Sequence, residues 1–266
     1  ESRFIRASFQ RHGGDAFPPH ECGAVFLGGK QVERFQRTAL IIGEEGLDIL
    51  RRSKVAVFGV GGVGGAACEA LARSGIGTLI LVDHDVVDIT NINRQIVALE
   101  STIGRPKVGV MADRIREINP NCQVIAYQQF YAAERSADLL RPDLDFVVDA
   151  IDSVTSKIDL IVGCRKRGIP IVSSMGAGNK LDPTQLQVAD ISQTHTCPLA
   201  KAVRLGLKKH DITSGVQVVF STERPTRLMP GRTPGSTAFV PPAVGMVLAS
   251  VVVRKLLDRS EGHGTV

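Results

Sequence analysis

The chain has 266 residues, of which 43% are hydrophobic and 22% charged, a balance typical of a folded enzyme and not of a disordered or fibrous chain. Its net charge of +5 permits a polyanionic partner without requiring one. Gly and Pro interrupt its longest apolar run, 240–253, which falls short of the roughly 20 residues of a membrane span, so we expect no membrane association.

The first 30 residues show no hydrophobic periodicity, so we expect an extension without regular structure there. A helical pattern follows from 32 to 50, with breaks near Gly43 and Gly46. From residue 54, short apolar runs alternate with helical patterns. The runs predict strands near 54–58, 78–82, 123–127, 146–148 and 169–173, and the helical patterns predict helices at 62–74, 105–118 and 154–167.

This alternation predicts a Rossmann-type α/β fold, with a mostly parallel sheet and helices on both faces. After residue 175 the pattern changes and predicts a smaller C-terminal extension of sheet and helix. Its expected elements are strands at 185–191 and 216–222, a basic helix at 198–209, a mobile loop at 223–235 and a closing helix at 244–257. We expect one domain over 31–266, with a nucleotide core at about 52–175 and a substrate-side extension at about 176–258.

A glycine-rich loop joins the first core strand to the first core helix. It matches G-x-G-x-x-G at Gly59, Gly61, Gly62 and Gly64, so its backbone can approach a phosphate beside a helix N-terminus. Asp83 closes the next strand about 20 residues later, where a carboxylate typically holds ribose hydroxyls. Alone, the motif indicates only a nucleotide: NAD is the default, and a tight turn without a ligand is the alternative.

The polar segment after Asp83 argues against NAD. It contains Asp85, Asn91, Arg94 and Gln95, and Lys107 follows. A triphosphate needs cations to balance its charge, whereas a redox site needs no such cluster. Arg94 and Lys107 suit that role. The alternative is that both are exposed charges, the usual situation of an isolated Lys or Arg.

These motifs, in this order, resemble the adenylation core shared by the ubiquitin-activating enzymes and the activators of the molybdopterin and thiamine pathways. The resemblance implies ATP and Mg²⁺ at the site. It implies that Asp83 binds ribose, that Asn91, Arg94 and Lys107 contact phosphates, and that Asp152 of Asp149-x-x-Asp152 handles the metal. On the residues alone, Asp152 is as well explained as a cap of the helix that begins at residue 154.

The segment Arg34-Phe-Gln-Arg37 resembles the N-terminal segment of the same family. The resemblance implies a homodimer in which Arg37 enters the active site of the partner subunit and acts catalytically with Arg94, Lys107 and Asp152. Without the resemblance, Arg37 would be a solvated helix charge.

Further segments are similar to the tRNA threonylcarbamoyladenosine dehydratases over nearly the whole chain after residue 32. They are Asn91-Ile-Asn-Arg-Gln-Ile, Arg114-Ile-Arg-Glu-Ile-Asn-Pro-Asn, Asp149-Ala-Ile-Asp-Ser-Val, Asp182-Pro-Thr-Gln-Leu-Gln-Val and Phe220-Ser-Thr-Glu. This similarity implies that ATP activates the threonyl carboxylate of a modified adenosine beside the tRNA anticodon. Ring closure then releases AMP. The chemistry is reasonable because a carboxylate is a poor electrophile until it carries a good leaving group.

Two other functions stay open at this point. One is adenylation of the C-terminal glycine of a ubiquitin-like sulfur carrier, with a sulfur-transfer or sulfur-acceptor protein as partner. Cys197, in the loop before the basic helix, keeps that reading open, although an incidental loop thiol is the alternative. The other is a non-catalytic nucleotide-binding scaffold, which the presence of Arg94, Lys107 and Asp152 disfavours.

The cysteines are scattered along the sequence without a CxxC pair, at Cys22, Cys68, Cys122, Cys164 and Cys197. This spacing predicts reduced thiols in a cytoplasmic protein and no structural zinc site. The sulfur-carrier activators often carry two CxxC zinc pairs, so their lack in this sequence favours the tRNA reading.

Overall fold

The computed structural model describes residues 25–27, 30–32, 34–226 and 234–261. Most of the predicted N-terminal extension and the centre of the predicted 223–235 loop lie outside these ranges. The strands are β1 Val25–Leu27, β2 Lys30–Val32, β3 Lys54–Phe58, β4 Thr78–Asp83, β5 Gln123–Gln128, β6 Phe146–Asp149, β7 Ile171–Ser174, β8 Leu186–Asp190 and β9 Gln217–Ser221. The helices are α1 Gln36–Arg52, α2 Gly62–Arg73, α3 Lys107–Ile118, α4 Ser136–Leu139, α5 Val154–Arg167, α6 Pro198–Lys208 and α7 Val240–Glu261.

Seven strands form one sheet in the order β5-β4-β3-β6-β7-β9-β8, and the predicted Rossmann-like α/β architecture is confirmed. All neighbours pair in parallel except β8 and β9, which are antiparallel. The chain order reverses between β3 and β6. In such sheets a crevice opens at this point, outside the carboxyl ends of the strands, and ligands bind there.

The C-terminal extension that we expected does not form a sheet of its own, because β8 and β9 extend the main sheet. Strand β9 lies beside β7, with Val218 opposite Ser173, and β8 pairs along its other side. Four of the five β9 residues are buried. A strand that is apolar on both faces is stable inside a sheet covered by helices, which explains its position.

The sequence reading also missed β1 and β2, which pair as antiparallel strands in the region expected to be an irregular extension. In α1, the predicted break occurs at Gly43, which has a φ of +72°, whereas Gly46 continues the helix.

Helices cover both faces of the sheet. One apolar core includes Leu50 of α1, Leu71 of α2, Met111 of α3 and Leu248 of α7. A second core on the other face includes α5 and α6, through residues such as Leu160, Val203 and Leu207. Helix α2, which follows β3, and helix α5, which follows β6, therefore lie on opposite faces of the sheet, and the crevice opens at the carboxyl ends of these two strands.

Helix α7 is long and apolar enough to cross a membrane by length and composition, with a mean hydropathy of 1.6 over Val240–Asp258. Half of that stretch is buried inside the protein, however. A Cβ atom on Gly245 would lie 2.2 Å from the carbonyl oxygen of Val63, so α7 packs directly against the backbone of α2. Its apolar character is explained by its position as a core helix.

Candidate nucleotide-binding site

The glycine loop lies at the crevice between β3 and β6, and two of its glycines are required by close backbone contacts. Gly59 has a φ of +87°, and a Cβ there would lie 2.6 Å from the carbonyl oxygen of Ala150. A Cβ on Gly64 would lie 1.7 Å from the carbonyl oxygen of Gly59. Gly61 differs, because the nearest atom to its Cβ position is Gln95 Nε2, at 3.8 Å. The space beside Gly61 and the free N–H groups of the α2 N-terminus together suit a phosphate.

Asp83 fixes the glycine loop to the end of β4. Its carboxylate accepts hydrogen bonds from the backbone N–H of Val60 at 2.6 Å and from that of Asp85 at 2.8 Å. A carboxylate has about four acceptor positions, so two remain for ribose hydroxyls. Asp83 therefore lies beside the glycine loop, and its role in binding ribose stays a prediction.

Lys107, at the start of α3, is buried and not an exposed charge. Its side chain is 7% exposed, and its Nζ lies 2.7 Å from Oδ2 of Asp85. His84 Nε2 lies 3.1 Å from the other oxygen of Asp85. Asp83, His84 and Asp85 form the one cluster of potential metal ligands in the described residues. The Asp83 carboxylate already accepts backbone N–H groups, and Asp85 already pairs with Lys107. We therefore assign no metal ion to this cluster.

Two predicted residues follow β4: Asn91 ends a short helical segment, Ile89–Asn91, and Arg94 lies in the turn after it. Asn91 is buried, and its Oδ1 accepts the backbone N–H of Asp88 at 3.2 Å, which caps that segment. Arg94 donates to the carbonyl oxygen of Thr90 at 3.0 Å, and its Cγ lies 3.3 Å from the Cβ position of Gly62. The aliphatic part of the Arg94 side chain therefore lies beside the glycine loop.

Gln95 carries a polar atom that a ligand would satisfy. Its Oε1 is buried and has no hydrogen-bond partner among the described residues, and its amide lies next to Gly61. A buried, unpaired amide oxygen is costly unless something donates to it. A nucleotide hydroxyl or amino group beside the loop would do so, and this observation fits ATP.

The two aspartates of the Asp149-x-x-Asp152 motif have different environments. Asp149 is fully buried and binds Lys157 Nζ at 2.8 Å, Ser173 Oγ at 2.6 Å and the backbone N–H of Ile151 at 3.0 Å. Asp152 is exposed, and its carboxylate has no hydrogen bond or ion pair within the described ranges. Asp149 thus holds the loop, and Asp152 remains available as a ligand.

Lys157 is a residue whose role the sequence did not indicate. A lysine inside a helix ordinarily faces solvent, and its buried partners come from two other strands. The only local signal is that the α5 pattern places residue 157 on the same face as Leu160 and Ile161.

Arg37 is not brought to the crevice of its own chain. Phe35, two residues earlier, packs against the Cβ position of Gly75, and Arg34 donates to the carbonyl oxygen of Ile118. Gly75 precedes β4 and Ile118 ends α3, so both lie at the opposite edge of the sheet. Arg37 is exposed there, near Leu40 and Ile41, whose side chains are 83% and 86% exposed.

Cys197 is 3% exposed and lies at the start of α6, with its sulfur 3.2 Å from the Cβ position of Gly176. Burial also raises the pKa of Cys122 to about 11 and that of Cys164 to about 12. A nucleophilic thiol needs to be accessible and easily ionised. These thiols lack at least one of those properties.

Two of the sequence segments that suggested a family meet at the end of the sheet. The Glu223 carboxylate accepts the backbone N–H groups of Leu181 and Asp182, at 2.9 Å and 3.0 Å. Buried Lys180 donates to the carbonyl oxygens of Ser221 and Glu223, and burial lowers its pKa. These contacts fix the turn before β8 to the end of β9.

One known protein family matches most of this chain. The model of the ThiF family matches residues 35–265. The chain belongs to the ThiF family. The tRNA threonylcarbamoyladenosine dehydratase of Bacillus subtilis strain 168 is 50% identical over 249 residues, which cover 86% of this chain and 97% of that protein. The protein of the same name from Escherichia coli K12 is 44% identical over 198 residues, covering 72% of this chain and 74% of that one.

A solved structure extends the agreement to the fold. The crystal structure of the E. coli tRNA N6-threonylcarbamoyladenosine dehydratase in complex with ATP has a TM-score of 0.82 and 40% sequence identity to this chain. The match covers 87% of this chain and 96% of that one. The resemblance to these dehydratases that the sequence motifs indicated is confirmed.

Proposed function

We propose that the crevice between β3 and β6 binds ATP and uses it to activate a carboxylate of a modified tRNA nucleoside. The chain is an ATP-dependent tRNA threonylcarbamoyladenosine dehydratase, and it converts the threonylcarbamoyl group to a cyclic form. The observation that carries this conclusion is the convergence of the glycine loop, Asp83, Arg94 and Lys107 on one crevice, in a chain 50% identical to a dehydratase over most of its length.

The reaction has two steps. A carboxylate oxygen attacks the α-phosphorus of ATP, a P–O bond breaks, and pyrophosphate leaves. A nucleophilic atom of the same modification then attacks the acyl carbon, and AMP leaves with the former carboxylate oxygen. The proton of the attacking group passes to solvent. The nucleoside thus loses the elements of one water, and its oxygen departs on AMP.

This reaction gives a part to the glycine loop, Asp83, Lys107 and Arg94. The glycine loop and the α2 N-terminus donate N–H groups to phosphate oxygens, and Asp83 accepts ribose hydroxyls. When ATP binds, the Lys107 ammonium group leaves Asp85 and donates to phosphate oxygens. The Arg94 guanidinium leaves the carbonyl oxygen of Thr90 and turns toward the phosphates. Both cations offset negative charge that moves onto pyrophosphate as it leaves.

We also propose Mg²⁺ as the metal and Asp152 as its protein ligand. The fit rests on the chemistry of the donor: an exposed carboxylate, unpaired within the described residues, two residues after the Ala150 carbonyl that contacts Gly59. Carboxylate oxygens are hard ligands that suit Mg²⁺, which also binds the phosphates of nucleotides. The ion would offset the charge of the triphosphate.

A homodimer is the proposed assembly, with Arg37 completing the site of the partner subunit. Arg37 lies at the edge of the sheet opposite its own crevice, so it acts in another subunit or not at all. The highly exposed Leu40 and Ile41 beside it give that surface an apolar contact area. Two-fold symmetry would supply both sites with the same contact.

We propose a cytoplasmic location, since scattered reduced thiols suit it.

The sulfur-carrier alternative has less support. It relies on Cys197 as an accessible thiol, and Cys197 is 3% exposed.

The deciding experiment offers the protein both acceptors. The chain is incubated with ATP, Mg²⁺ and either tRNA containing threonylcarbamoyladenosine or a ubiquitin-like sulfur carrier, and the products are analysed by mass. We expect a nucleoside lighter by one water, formed together with AMP and pyrophosphate. The Asp152→Asn variant keeps the shape but loses the charge, so it should fold normally and give no product. Activation of the carrier alone would overturn the proposal.

A further inference from the structure

Helix α6 is a concentrated source of positive charge. Residues 198–210 contain Lys201, Arg204, Lys208 and Lys209 and no Asp or Glu. Arg204 is occupied, because it donates to the carbonyl oxygen of Thr194 at 2.9 Å. The apolar side of the helix, including Val203 and Leu207, faces the core. The three lysines therefore occupy the solvent side.

These lysines are unpaired within the described part of the chain. Lys201, Lys208 and Lys209 are exposed, as is Lys166 at the end of α5, and none of the four has a carboxylate within ion-pair distance there. On the other face of the sheet, most exposed cations are paired with a carboxylate. Arg73 and Arg114 pair with Glu69, and Arg116 pairs with Asp113. A cluster of unpaired positive charges on one helix is typical of a surface that binds a polyanion.

The position of α6 connects this charge to the crevice. Cys197, at the start of α6, lies beside Gly176 at the carboxyl end of β7. Strand β7 neighbours β6, with Ser173 opposite Asp149. The helix then follows α5 away from this edge, since Gly206 packs against Ile158 and the later Gly215 accepts a hydrogen bond from Arg165. The lysines thus form a stripe about 12 Å long, leading away from the reaction site.

We infer that this stripe, Lys201, Lys208 and Lys209 with Lys166, binds the backbone phosphates of the tRNA stem whose loop nucleotide enters the crevice. The inference rests on the proposed function. Contacts to phosphates do not distinguish one nucleotide from another. The stripe therefore provides affinity for the tRNA and orients it, and the crevice carries out the reaction. The partner class is RNA because the substrate in the crevice is part of a chain that carries one negative charge per nucleotide.

The test removes the charge and keeps the helix. The variant Lys201→Gln/Lys208→Gln/Lys209→Gln retains helix propensity, because Gln and Lys are similar helix formers. A matched control, Arg52→Gln/Arg116→Gln/Arg254→Gln, removes three exposed charges from α1, α3 and α7 on the other face. Circular dichroism and ATP affinity check that both variants are intact. Binding of tRNA is then measured over a range of salt concentrations.

We expect the α6 variant to bind tRNA at least about tenfold more weakly at low salt, with a salt slope smaller by about 3, roughly one per phosphate-contacting lysine. Its KM for tRNA should rise while kcat at saturating tRNA is retained, and the control should match wild type. Equal affinity and slope in the two variants would overturn the inference and leave the stripe to an acidic protein partner. If wild type binds tRNA but leaves it unchanged, the proposed function fails, and the binding comparison still decides the role of the stripe.

Discussion

The ammonium group of Lys157 on α5 lies 2.8 Å from the carboxylate of Asp149 at the end of β6, and neither side chain is exposed. Asp149 also accepts the N–H of Ile151, in the loop that carries Asp152. A buried ion pair therefore fixes the loop on which the proposed metal ligand stands.

Replacing Lys157 with Met should be strongly destabilising, because it leaves the Asp149 carboxylate buried without its cation. Loss of one partner of a buried pair typically costs about 3–5 kcal/mol. Urea denaturation measures this. Lys166→Met, at an exposed position of the same helix, should change stability by less than about 0.5 kcal/mol. Adding Asp149→Asn to Lys157→Met should restore part of the loss. A single variant as stable as wild type would show that the pair does not stabilise the loop.

The prediction of α5 from sequence was accurate because its signals are local. Ser153 caps its start by accepting the N–H of Ser156, and Gly168 ends it in the left-handed region with a φ of +67°. The Lys157 contact could not be predicted, since Asp149 and Ser173 come from two strands that only the folded sheet brings together. The insertion of β9 between β7 and β8 is non-local in the same way. The glycine loop was predictable because its motif encodes both geometry and function.

The glycines of the loop should respond differently to substitution. Gly64→Ala would place a Cβ 1.7 Å from a backbone oxygen, so we expect little folded protein. Gly61→Ala meets nothing closer than 3.8 Å, so we expect wild-type stability. The same methyl group occupies the space that a phosphate needs, so the affinity for ATP should fall at least about tenfold. Thermal melts and ATP titration separate the two effects. Unchanged ATP affinity in Gly61→Ala would place the phosphates elsewhere.

The shared-site proposal predicts complementation between two inactive proteins. Arg37→Ala and Asp152→Ala should each be inactive alone. Under random subunit exchange, a mixed dimer holds both lesions in one site and leaves the other whole, so about a quarter of all sites should work. The measurement is tRNA dehydration after mixing, with exchange verified by differently tagged subunits. A mixture that stays inactive despite exchange would show that Arg37 does not act across subunits.

Cys197 should be dispensable for the reaction. Because the thiol is buried at the start of α6 and no step needs it, Cys197→Ser should retain tRNA dehydration within about threefold of wild type. Native protein should also react slowly with a thiol reagent at Cys68, Cys122, Cys164 and Cys197, all of them buried. Loss of dehydration in a folded Cys197→Ser protein would revive a covalent mechanism.

The central claim is that the crevice transfers AMP to a carboxylate of the nucleoside. The most direct measurement uses tRNA whose threonyl carboxylate is labelled with heavy oxygen, followed by mass analysis of the released nucleotide and phosphates. Adenylation and ring closure should leave one heavy oxygen in AMP and none in pyrophosphate. Label in inorganic phosphate, together with ADP, would mean that the γ-phosphate is transferred and would contradict the account.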